Sequence, residues 1–537
     1  MLVNRIYNYL IIVSLCLITN SYGYPSDTEL IPLPRDKYLD KCKGAWLGQM
    51  IGVTFGDKYE FRYNGIPIFE PLQEWKSEYL KNAFPQDDLY VEMTFLEALE
   101  NNGLNITFED AGNFFANSKY PLWHANRAGR DNLKKGINPP FSGHPDYNHH
   151  ADDSDFQIES DLFGIICPGL PKESQKLGRI FGSIMNYGDG LYGGFFIAGM
   201  YASAFFENDI EKVILSGLEC IPPESRYRKC IEDTIDAWRK YPDNWFEAWK
   251  IIENKWQDDV DCLPGIPVNI DAKINGAYVV MGLLYGNGDM QKTIEIATRC
   301  GQDTDCNASS SAGILGCIKG FSNIDDYYKQ SLPNLQNEKF LFTNYSWNDL
   351  ISACEKLTKE IITQAGGKIE KDTFLIPLQK PSPPSTLEQW TNKQDILKPP
   401  IPKEKLSQWT PNWRVKSCKF SPEVGVFTEG NDIYLSISQP QDENIILPSI
   451  IESYGNIPQN AQKLSIEART KPNEEMILRV KADYKTISEQ KIVSNTWTKI
   501  DIDISGFPKD TTMLTIESFS THDKKSGTIH LKPIKFE

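Results

Sequence analysis

Residues 301–321 read GQDTDCNASSSAGILGCIKGF, an acidic turn that runs into a run of small side chains. Asp303 and Asp305 stand one residue apart on a glycine-started loop, where both carboxylates can aim at one point. Carboxylates held that close repel each other unless a cation or a proton intervenes. The serines and glycines that follow cost helix propensity, so the segment makes sense as a helix where close packing or a ligand favours it. Its sequon, Asn307-Ala308-Ser309, falls at the helix start, where a carbohydrate chain would clash with buried neighbours.

Two earlier segments answer this pattern. Gly44–Phe61 reads GAWLGQMIGVTFGDKYEF, with glycines at 44, 48, 52 and 56 on one face of a closely packed helix and Glu60 at its end. Taken alone, that spacing is a packing device and Glu60 a surface acid. Gln86-Asp87-Asp88 opens a helix that sets Leu89, Met93, Leu96 and Leu99 on one face. The two acids there serve as cap and dipole partner, or they share a hard divalent cation through oxygen ligands.

Around these segments the chain divides by texture. Residues 35–366 read as a helical domain, in which Lys273–Tyr285 is apolar nearly all round like the central helix of a bundle. Residues 367–406 form a proline-punctuated linker, with Pro377, Pro381, Pro383, Pro384, Pro399, Pro400 and Pro402, expected to lie extended along the first domain. Residues 407–537 carry short alternating runs, Asp432–Ser438, Met476–Ala482, Trp497–Ile504 and Thr528–Ile534, as a small antiparallel β-sandwich does. The fold class is therefore multidomain, an all-α domain followed by a β-sandwich, which suits a length of 537 residues.

A formal net charge of −16 argues against nucleic acid or an anionic membrane as the main partner. Residues 1–23 read as a cleavable signal peptide: Arg5, the apolar stretch Tyr9–Ile18, then Ser21-Tyr22-Gly23. That stretch falls short of the roughly 20 residues a bilayer span needs. The expectation is a secreted, extracellular protein (periplasmic in a bacterium) with no integral membrane segment after cleavage. Ten of the eleven cysteines remain once Cys16 is removed, and Cys220 and Cys230, flanking a Pro-Pro turn, are candidates to pair. The absence of CxxC pairs gives a structural zinc site little support.

GxDTD before a small-residue helix, with an early glycine-rich helix ending in Glu60 and a central Asp-Asp pair, resembles the ADP-ribosylglycohydrolases. Tyr187-Gly188-Asp189-Gly190 and the helix after it also resemble that family's central Gly-Asp turn. The resemblance implies an all-α hydrolase domain with a two-metal magnesium centre; manganese or calcium is the alternative. Carried over by position, it implies Asp87, Asp88, Asp303 and Asp305 as metal ligands. Glu60 is implied as the acid beside the substrate ribose, and Asp88 and Asp303 as part of the catalytic centre. Gln86 stands where a threonine is usual and still offers a carbonyl oxygen. Cys306 also replaces a threonine, and its thiol is a poor magnesium ligand. Val53 occupies a place where the family often has Asp.

The stretch from Pro121 to Pro168 holds four of the six histidines and many acids, and reads as a solvated loop or as a substrate surface. His124, Asp155, Glu159 and Asp189 are the candidate substrate contacts. Acids at 155–161, where a phosphate-contacting segment is expected, would repel a pyrophosphate. That favours a smaller or neutral glycoside over ADP-ribose itself, and the expected reaction is magnesium-assisted attack of water at the anomeric carbon of an ADP-ribosyl or a ribosyl- or furanosyl-like glycoside. Two other readings stay open: a furanoside hydrolase without ADP-ribose activity, and a non-catalytic secreted carbohydrate-binding protein. Trp409, Trp413 and Trp497 are candidates to hold a polysaccharide on the β-rich module, or are its core.

Overall fold

The glycines of residues 44–56 and the small residues of 304–316 meet as one seam. In the computed structural model, helices Arg35–Gly56 and Thr304–Lys319 run antiparallel with backbones in contact. A Cβ at Gly44, Gly48, Gly52 or Gly56 would sit 2.1–2.2 Å from the carbonyl oxygen of Gly316, Ala312, Ala308 or Thr304 respectively. No side chain fits at that separation, so the glycine spacing is a requirement of the packing. Helix Ala272–Gly286 lies against the same small-residue helix and is buried along nearly its whole length.

The structure describes residues 29–257, 270–393, 401, 403–416, 424–439, 447–493, 495–521 and 527–537. The signal-peptide segment, 1–23, lies outside them. Among the described residues no helix is long and apolar enough to cross a membrane.

The proline-rich region is more ordered than its composition suggests. Thr373–Pro377 forms the middle strand of a small antiparallel sheet between Leu30–Pro34 and Lys368–Ile369. Proline is tolerated because Pro377 ends the strand. Beyond it the chain lies along the helical domain, where Glu388 pairs with Arg179 at 2.5 Å and Lys393 reaches Asp152 and Asp271 at 3.1 and 3.0 Å.

A short helix, Lys403–Trp409, leads into two facing antiparallel sheets. In the strand Lys463–Thr470, Leu464, Ile466 and Ala468 point into the shared core. The intervening Ser465, Glu467 and Arg469 point away, the period-two pattern of a sheet with one buried face. Trp409 and Trp413 belong to that core, 2% and 4% exposed, and the Trp409 indole donates to the Leu531 carbonyl at 2.7 Å. They are structural and unavailable to a polysaccharide, whereas Trp497 lies on the outer face against Arg469 and Lys532. The sandwich docks on the helical domain through Lys416–Glu253 and Lys250–Asp483, both at 2.8 Å.

The expected Cys220–Cys230 pairing is corrected: both are free buried thiols, as are the other described cysteines. Cys220 sits against Gly199 and Cys230 faces the Lys273 carbonyl, on separate sides of the turn.

Candidate active site

The seam delivers its acids to one place. Helix Arg35–Gly56 ends, a short 3-10 turn follows, and Glu60 caps that turn. Across from it the 301–303 loop is clamped by backbone bonds from Phe61 N–H to the Gln302 carbonyl (3.1 Å) and from Gln302 N–H to the Tyr63 carbonyl (2.9 Å). Gly301 is required there: its φ is +83°, and a Cβ would lie 2.3 Å from the Tyr63 carbonyl oxygen. The Thr304 hydroxyl donates to the Gly56 carbonyl at 2.9 Å, tying the two helix ends together.

Carboxylate oxygens of Glu60, Asp303 and Asp305 lie within 4.8 Å of one another, and so do ligand atoms of Asp88, Asp305 and Cys306. Asp305 joins the two groups, so residues more than two hundred positions apart in sequence share a centre. Asp87 acts on the same charges, raising Glu60, Asp88 and Asp305. Asp303 is held in place by the Ser154 hydroxyl, which donates to its Oδ2 at 2.9 Å, and by its own N–H to Asn275 Oδ1 at 3.3 Å.

Burial without compensating charge pushes these carboxyls up. Glu60 rises to about 8, first through desolvation and then through Asp303 and Asp87. Asp87 rises to about 6 by desolvation, offset by backbone N–H donors. Asp88 and Asp305 are driven well above the usual range by burial and by their acidic neighbours. The His124 imidazole eases Glu60, Asp87 and Asp303.

The donor set fits a hard cation on a structural observation. Among the described residues, Asp88 Oδ1 and Asp305 Oδ1 are buried without a hydrogen-bond partner, an arrangement that costs several kcal/mol unless a proton or cation fills it (about 2–7 for an uncompensated polar group). Cys306 contributes its thiol as a donor to Asp88 Oδ2, 3.7 Å away, a use that suits a soft sulfur poorly fitted to magnesium. Gln86 is the N-cap of helix Asp87–Asn102, and its side chain does not cap that helix. Val53 is fully buried on helix Arg35–Gly56 and offers no ligand atom.

Asp155 and Glu159 are both buried. Asp155 accepts from the Asn126 N–H at 2.9 Å, and Glu159 accepts from the Asn126 side-chain amide. Asp155 is pushed up to about 7 by burial and by Asp153, with His124 opposing. Glu159 stands well above its ordinary value through burial and Asp155. Asp161 takes the Tyr201 hydroxyl at 2.6 Å inside the helical core and rises to about 8, so it does not present charge to a ligand. Asp189 is set apart from the carboxylate centre: it accepts from the Tyr227 N–H at 3.1 Å, and its strongest charged neighbours are Lys273 and Asp271. His124 stands beside Phe61, ring centroids 6.2 Å apart, next to the Glu60 turn.

Sequence reasoning passed over Ser154 and Asn275, polar residues with no motif to mark them. It also passed over Lys273, which pairs with Asp271 at 2.5 Å. A lysine in an otherwise apolar helix was the available signal.

An all-helical domain that gathers buried acids from distant helix starts defines a class of hydrolase centre, and sequence comparison agrees. The chain belongs to the ADP-ribosylglycohydrolase family, whose model matches residues 34–366; it is thus a glycosyl hydrolase. No curated protein sequence matches it. Among solved structures, an "ADP-ribosylglycohydrolase-related protein complex" is similar at 13% identity, covering 60% of this chain and 98% of that one, with a TM-score of 0.37. A module in complex with beta-1,4-galactotriose is similar at 11% identity, covering 26% of this chain and 97% of its own, with a TM-score of 0.17. A family 29 carbohydrate binding module is similar at 10% identity, covering 21% and 73%, with a TM-score of 0.15.

Proposed function

We propose that the chain hydrolyses a ribosyl or furanosyl-type glycosidic bond, with magnesium held by Asp87, Asp88, Asp303 and Asp305 and assisted by Gln86. The observation that carries this is the meeting of Glu60, Asp88, Asp303 and Asp305 around Asp305, with buried carboxylate oxygens left to a cation. When bound, magnesium (as a pair) supplies Lewis acidity toward a sugar diol and a water, the chemistry oxygen-rich sites with open positions provide.

The chain's own groups do the rest. Glu60, at the edge of the carboxylate centre, takes a proton at its carboxylate oxygen as water adds to the anomeric carbon and the glycosidic bond breaks toward the leaving group. Asp303, fixed by Ser154, keeps its negative charge beside the ring as positive character develops there. His124, next to the Phe61 ring, orients the substrate from the side. Asp155 and Glu159 are buried and hydrogen-bonded to Asn126, so the choice between a neutral glycoside and a pyrophosphate does not rest on their charge.

Hydrolysis of ADP-ribosyl peptides and of aryl furanosides, each with and without chelator, tests this reading. Chelator-sensitive turnover of the furanosides, reduced about 10³-fold or more by Asp305→Asn, is expected, on the scale of losing one strong electrostatic contributor. Turnover indifferent to chelator and to Asp305→Asn would overturn it. We also read residues 1–23 as an export signal; recovery of the chain from the medium with those residues removed is the matching result.

A further inference from the structure

Beside the carboxylate centre lies a second cluster of different chemistry. The imidazole Nδ1 atoms of His124 and His150 both face one oxygen of Asp153, at 3.4 and 2.9 Å. All three ligand atoms lie within 4.8 Å of one another. Tetrahedral bonds of about 2.0–2.1 Å to nitrogen and oxygen put neighbouring ligand atoms about 3.3 Å apart. The observed separations bracket that edge. The side chains are largely enclosed: 14% and 16% exposed for the histidines and 2% for Asp153.

The cluster is braced by buried polar neighbours. Asn148, fully buried, accepts from the His150 N–H at 3.0 Å and donates to the carbonyls of Ala125 (3.1 Å) and Met185 (2.9 Å). It thereby fastens the turn bearing His150 to the helix start bearing His124. The Asp153 backbone forms an antiparallel bridge with that of Asp271, and the Ser154 N–H donates to the Ile270 carbonyl at 2.8 Å. The rings of His124 and His150 meet edge to face, centroids 5.3 Å apart, so both present nitrogen to the same point.

We propose that His124, His150 and Asp153 form a second metal site, taking a borderline transition-metal ion, zinc first, with a position left for water or a substrate oxygen. Two imidazoles and one carboxylate suit zinc and its neighbours and are a poor set for magnesium, which prefers oxygen. The two centres therefore sort metals by donor chemistry. They are joined through the chain, because Ser154, next to Asp153, holds Asp303 of the carboxylate centre. The site does not depend on the identity of the glycoside or on magnesium at the other centre.

The test is metal content, on the full chain stripped with chelator and then given zinc alone in the presence of excess magnesium. One zinc per chain is expected after dialysis. Its affinity should fall at least about 100-fold in His150→Gln and in His124→Gln, since loss of even a supporting group costs 10–100-fold, and it should be unchanged in Asp305→Asn. Cobalt on the unaltered protein gives a second readout that needs no variant to fold: intense visible bands mark a tetrahedral nitrogen-containing site, weak ones an oxygen-only octahedral site. Failure to retain zinc, zinc lost in Asp305→Asn but kept in both histidine variants, or only weak cobalt bands would each overturn the proposal and leave the three side chains as a hydrogen-bonded cluster.

Discussion

Two groups of buried acids sit in the same helical domain, and the chain treats them differently. Asp152 and Asp271 are met by Lys273 and Lys393, at 2.5 Å for the Lys273–Asp271 pair and 3.0–3.1 Å for the Lys393 contacts. The lysines hold Asp271 well below the usual carboxylate range, while burial still lifts Asp152 to about 7. Glu60, Asp87, Asp88, Asp303 and Asp305 instead face one another with no lysine among their strongest charged neighbours, the flanking His124 imidazole opposing at Glu60, Asp87 and Asp303. The first group is closed electrostatics that fastens the 379–393 segment to the domain. The second keeps its negative charge in reserve, at a cost to the empty fold, for a cation that arrives from outside.

The sharpest way to break this comparison is to remove charge from each group in turn. Lys273→Met leaves Asp271 with Lys393 and is expected to destabilise, by at most about 3–5 kcal/mol, the range for breaking a buried ion pair. Asp88→Asn, measured in chelator, relieves repulsion and is expected to leave stability unchanged or higher. Urea unfolding of both variants reads the contrast directly. Equal losses would mean that the two groups are alike.

Magnesium addition gives the next largest effect. At a hundredfold excess over its dissociation constant, a ligand bound only by the folded state stabilises by about 2.7 kcal/mol. The unaltered chain should show that gain in a thermal melt, and Asp305→Asn should not. A variant that gains as much as the parent places the cation elsewhere.

A smaller, graded effect comes from pH. Glu60 and Asp87 have folded pKa values of about 8 and about 6, above their ordinary 4.5 and 3.8. Groups raised in this way bind protons more tightly when folded, so their contribution is whole below the unfolded values and fades as pH rises through the folded ones. In chelator, stability should therefore fall between pH 4 and 8, by up to about 1.4 kcal/mol per pH unit for each proton involved, and magnesium should flatten the slope. A chelated protein that is as stable at pH 8 as at pH 5 contradicts the reserved-charge account.

The two groups also differ in how far the sequence announces them. The carboxylate centre is legible because its geometry depends on local patterns: glycines every four residues set the seam, and acids at helix starts inherit its convergence. Leu89, Met93, Leu96 and Leu99 fall on one buried face as their spacing requires. The Lys273–Asp271–Lys393 group is invisible at that level because Lys393 arrives at Asp271 from 122 residues away on a segment that reads only as proline-rich linker. Likewise the tryptophans near 410 carry no mark of burial, since an indole that donates to a strand carbonyl looks the same in sequence as one that stacks on a sugar. The strand Thr373–Pro377 is hidden by its closing proline and those that follow, which obscure a pairing fixed by a partner at the other end of the domain.

The central claim is that carboxylates from both ends of the helical domain hold one metal centre. A crystal soaked in manganese, with anomalous differences measured, locates that centre without reference to activity. Peaks enclosed by Asp88, Asp303 and Asp305 beside Glu60 are the expected result. A saturated crystal with no peak among these side chains, or with manganese confined to other acids, would contradict it.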